Sequence, residues 1–86
     1  MGNERELRAF VEQRGRLMET MSGRRADIDR WLAQRPASDL ANVTSLELAE
    51  FAGLIQLSRD VLMELVNLDD ALLDFVLANK RSNQER

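Results

Sequence analysis

The sequence predicts an all-α protein, an antiparallel hairpin of two long helices. Three observations predict it. Apolar residues recur at spacings of three and four through two long stretches, 4–34 and 45–80. The only proline, Pro36, stands between them. A helix-capping sequence, Thr44-Ser45-Leu46-Glu47, opens the second stretch. The 86 residues read as one small domain. Its apolar surface is wider than two helices can bury, so the hairpin is expected to complete a four-helix bundle as a homodimer, with coiled-coil-like packing.

The first helix is expected over 4–34. Its apolar positions are Leu7, Phe10, Val11, Leu17, Met18, Met21, Ile28, Trp31 and Leu32. At 100° per residue they occupy an arc of about 160°, the width of a helix resting on a core. Asn3 is placed to cap it, and Glu4 and Glu6 suit the positive end of the helix dipole. Gly15 and Gly23 fall on the polar side, and each costs about 1 kcal/mol relative to Ala. Ser22-Gly23 is where a kink or break would fall, which would give three helices near 4–21, 24–34 and 45–80. The apolar stripe keeps its phase from Met21 to Ile28, which favours one continuous helix.

A loop is expected over 35–43. Pro36 drives Arg35 away from helical geometry, and Ser38, Asp39 and Asn42 are turn formers. Leu40 and Val43 are expected to tuck over the bundle end. Thr44 then caps the amide of Glu47, and Glu47 reaches back to Thr44.

The second helix is expected over 45–80, followed by a polar, disordered tail over 81–86. One apolar stripe runs Phe51, Ile55, Leu62, Leu65, Leu72, Val76. Another runs Leu54, Val61, Leu68, Phe75 at a strict spacing of seven. Together they cover about 200° of the helix, whereas one partner helix covers mainly a narrow seam. These ten residues are the expected partner or dimer surface.

Composition excludes several chemistries. With no cysteine and no histidine there is no disulfide, no thiolate zinc site and no imidazole base. No cofactor or metal is expected. The start, MGNERELR, carries both signs of charge and lacks the apolar core of a secretory signal. No apolar run approaches the roughly 18 residues that a membrane span needs. A cytoplasmic protein without a membrane partner is expected. The net charge of −3 argues against general nucleic-acid binding, although eight arginines lie in the first 36 residues and a basic first-helix face is the corresponding alternative.

Polar residues on the apolar faces are the remaining candidates. Arg14 and Asp69 fall within one turn of each other in a hairpin that turns near residue 40, and a buried Arg14–Asp69 pair is expected to set the register. Ser58 lies in the same arc. Trp31 reads as a core cap at the loop end, or as a partner-binding anchor. Arg24-Arg25 reads as a solvated pair. Asp69, Asp70 and Asp74 lack the glycine and ligand ladder of a calcium loop. Met18 and Met21 read as core fillers, and Met63 as an exposed contact.

Two resemblances arise. RELRAFVEQRGRLMETM, followed by VLMELVNLDDALLDFVLANKR, resembles the Arg- and Gln-rich helix and the leucine–acid-rich later helix of small flagellar export chaperones. It covers about half of the chain, mainly residues 5–21 and 61–81. It implies a protein that binds helical ends of filament subunits and hides their apolar surface until export. LDDALLDFVLANKR also resembles the first helix of all-helical chorismate mutases, which implies a small enzyme with an arginine-lined anionic pocket. Arg14, Arg25 and Lys80 would then be the cationic clamps. Asn79 and Lys80 fall near that family's arginine position, and the sequence lacks the continuation that would supply its further active-site residues.

Overall fold

A computed structural model describes residues 2–84. The chain is a two-helix hairpin: α1 (Gly2–Ala33), a short 3₁₀ helix (Ala37–Asn42) and α2 (Ser45–Gln84). The helices run antiparallel and pack along their length. At 1.5 Å per residue, α1 is about 48 Å long and α2 about 60 Å. The molecule is a rod of 66 × 18 × 16 Å.

α1 runs unbroken through Ser22-Gly23. Space beside Gly15 and Gly23 is open, and neither has a positive φ. Neither glycine therefore serves a bend or a close approach. The stripe that keeps its phase across Gly23 holds the helix together. α2 continues past residue 80 to Gln84, so the expected tail is helical as far as Gln84, and residues 85–86 lie outside the described residues. No proline or glycine interrupts Asn79–Gln84, and Arg81 in the last turn suits the negative end of the dipole.

The connection is tighter than a loop. Pro36 sits extended at φ −63°, ψ 151°, and the 3₁₀ turn begins behind it, where Asp39 N donates to Pro36 O at 2.9 Å. Val43 returns to extended geometry and leads into α2. Glu47 N donates to Thr44 Oγ1 at 3.1 Å, which is half of the expected capping box. The other half differs. The Glu47 carboxylate accepts from the Thr44 hydroxyl at 3.1 Å, because it also takes the Arg35 guanidinium at 3.0 Å.

Arg35 fastens the loop end. Its Nη1 donates to Trp31 O at 3.0 Å, supplying one of the carbonyl partners that a helix C-terminus lacks. Its guanidinium lies 4.0 Å from the Trp31 ring centroid. Trp31 in turn stacks on Phe51 at 4.4 Å. At the open end Phe10 meets Phe75 at 5.4 Å. Between these aromatic contacts, Met21, Val61 and Leu68 are buried. Leu40 stays exposed and does not cover Trp31, because the 3₁₀ turn carries it outward.

Candidate functional site

Among the described residues the hairpin buries the apolar side chains of Met21, Trp31, Val61 and Leu68, and leaves many large ones open. The seam of α2 that faces α1 is the one spaced by seven. Val61 and Leu68 are buried there, and Leu54 and Phe75 are half-buried beside them. Four of the ten residues expected to form the partner or dimer surface are thus largely covered by the chain's own first helix. A spacing of seven stays on one neighbour when two helices wind gently round each other, which gives α1 this seam. Of the other expected surface residues, Phe51, Ile55, Leu65 and Leu72 are half-buried, while Leu62 and Val76 are 45% and 49% exposed.

The open apolar surface lies on the flanks. On α1 it comprises Leu7, Val11, Met18 and Leu32, turned about 80° from the inward stripe. On α2 the exposed Leu48, Leu62, Val66, Leu73 and Leu77 lie about 140° round from the Val61–Leu68 seam, with the exposed Val76 about 70° from it in the same sense. In an antiparallel pair these two rotations bring both flanks to the same side. A groove lined by Asn3, Glu4 and Leu7 together with Phe75, Val76 and Asn79 shows the two flanks meeting. One apolar face therefore runs from Leu32 and Leu48 at the loop end, past Met18 and Leu62, to Leu7 and Leu73 at the open end. The opposite side carries Arg5, Arg16, Asp60, Glu64 and Asp74, all exposed, together with the exposed Leu46 and Leu57.

The signal for this face was in the sequence. Leu48, Ile55 and Leu62 repeat at seven, as do Val11, Met18, Arg25 and Leu32. Arg25 interrupts the second series and hides it from a hydrophobic count.

Arg14 and Asp69 do meet. Arg14 Nε donates to Asp69 Oδ1 at 2.9 Å, but the side chains are 46% and 44% exposed. The pair is not buried within the chain, because both residues sit at the edge of the seam on the apolar-face side. Ser58 makes a 3.7 Å contact to the sulfur of Met21 across the helices. Trp31 is 6% exposed, which removes it as a surface anchor: its ring is spent on Phe51 and Arg35. Its Nε1, like Arg24 Nε, is buried without a hydrogen-bond partner. Met18 and Met63 are exposed, and Met21 is the one methionine of the three that fills the core.

The Glu47 carboxyl is held below its ordinary value by the hydrogen bond from Arg35 first and that from Thr44 second.

The grooves are shallow; the one of about 500 Å³ is lined by Glu4, Leu7, Arg8 and Val11, all on α1. Arg14 and Arg25 stand about 16 Å apart along α1, and Lys80 lies near the open end beside Asn79. They do not converge on one anion. Among the described residues no group of acidic side chains comes together to hold a metal ion, and no helix is long and apolar enough to cross a membrane. Comparison with protein-family models, curated proteins and solved structures returned no match.

Proposed function

We propose that the chain is a protein–protein interaction module. Its working part is the apolar face shared by α1 and α2, which self-associates into a four-helix bundle or receives partner helices. The observation that carries this reading is the concentration of exposed leucine, valine and methionine on one side of the hairpin. A contiguous apolar patch of this extent marks an association site. A role as assembly adaptor or export chaperone is the form of this reading that the sequence resemblance favours. The cysteine-free composition fits a reducing cytoplasm.

The test is photo-crosslinking in the source cells. A benzophenone side chain is placed at Leu62 or Val66 on the apolar face, and at Arg16 or Glu64 on the polar side. Protein adducts, whether to a second copy or to another protein, are expected from the first two positions only. Absence of adducts from Leu62 and Val66 refutes the reading.

A further inference from the structure

We infer that the occupant of the apolar face is a second copy of this chain, packed face to face about a twofold axis. This inference rests on the reading of that face as an interaction surface, and names what covers it. The first argument is area. A compact chain of 9.8 kDa exposes about 5,200 Å², whereas the hairpin exposes 6947 Å². The radius of gyration is 19.5 Å, against about 12 Å for a compact domain of this length. The excess surface, roughly 1,700 Å², exceeds the 800 Å² or so that each partner loses in a standard interface. A strip as wide as the rod, 18 Å, and as long as α1, about 48 Å, supplies about 900 Å².

The second argument is shape. The face is two helices wide and shallow along its length. A single partner helix would lie over the midline and leave the outer flanks at Leu48 and Val11 wet. A second hairpin covers both flanks, and every adjacent pair of helices in the resulting bundle is antiparallel.

The third argument is charge. Arg14 is matched by Asp69, and Arg25 stands one helical turn from Asp29 on the same face. A face that is apolar and locally balanced can meet its own copy without like-charge opposition. Pairing also covers the Arg14–Asp69 bridge, which the hairpin alone leaves half open to water.

The purified chain tests this by sedimentation equilibrium and thiol crosslinking. The expected mass is about 20 kDa, twice 9.8 kDa, with a melting temperature that rises with protein concentration. Leu62→Glu is expected to lower both mass and helicity. Because loss of the fold would lower mass and helicity in the same way, single cysteines are placed in the cysteine-free chain at Met18 on the apolar face or Glu64 on the polar side. A short bismaleimide is expected to link Met18→Cys into dimers and to leave Glu64→Cys monomeric. A mass of 9.8 kDa with a cooperative, concentration-independent melt overturns the second copy. If the in-cell adducts at Leu62 then contain a different protein, the interaction reading stands; if there are none, both fall.

Discussion

Replacing Gly23 by alanine should raise the stability of this protein. Gly23 lies inside α1, and a Cβ built there meets nothing within 4 Å. The substitution therefore carries no steric penalty, and what remains is the difference in helix propensity, about 0.8–1 kcal/mol in favour of alanine. For 86 residues the unfolding entropy near the midpoint is about 0.18 kcal/mol/K, so the melting temperature should rise by about 5 °C. Gly15→Ala sits in equally open space, and the two sites are two helical turns apart. Their effects should add to roughly 2 kcal/mol. The assay is thermal unfolding by circular dichroism at one fixed protein concentration, since association makes the midpoint depend on concentration. A fall in melting temperature for Gly23→Ala would refute the reasoning. It would mean that another molecule lies against the polar side of α1, where the glycine admits its backbone.

Three further measurements probe other parts of the molecule. A double-mutant cycle on Arg14→Ala and Asp69→Ala reports on cover: an exposed pair couples by about 0.2–1 kcal/mol. Under a second copy, losing one partner should cost about 3 kcal/mol or more. Glu47→Gln tests the loop clasp. A carboxyl whose folded value is depressed adds stability above its ordinary value of 4.5 and loses it as the pH falls through the lower folded value. The stability gap between wild type and Glu47→Gln should therefore shrink on acidification below about pH 4.5, and a gap that stays constant to about pH 3 would exclude this coupling. Trp31→Ala should cost about 3–5 kcal/mol by chemical denaturation. Trp31→Phe should cost about 1–2 kcal/mol, because the indole N–H has no acceptor to lose.

The helices, the turn and the pairing of Arg14 with Asp69 were legible because each rests on local rules: periodicity, the Pro36 break, the Thr44 cap and the arithmetic of an antiparallel register. The rotation of α2 about its own axis was not. An apolar arc of about 200° has no single inward direction, so counting could not decide which stripe α1 would take. The structure gives α1 the seam of Val61 and Leu68, and the open flank becomes Leu48, Leu62, Val66 and Leu73. The same ambiguity made Arg14–Asp69 look buried, since a residue at a seam edge is inside or outside according to a rotation of some tens of degrees. Trp31 reads from sequence first as a core cap and second as an anchor; its stacking on Phe51 and the clamp of Arg35 place it in the core.

The nesting of the contacts also orders how the hairpin forms and fails. Arg35–Glu47 closes a span of 12 residues, Ser58–Met21 one of 37 and Arg14–Asp69 one of 55, each enclosing the last around the 3₁₀ turn. Once the innermost is made, every further contact needs only a short additional closure, so its entropic cost is small. Assembly should zip outward from the Arg35 clasp, with amide protection falling toward Phe10 and Phe75. Pulled by its two ends, the rod should peel open from that far end, turn by turn, at low force. The bond from Arg35 to Glu47 would be the last to part.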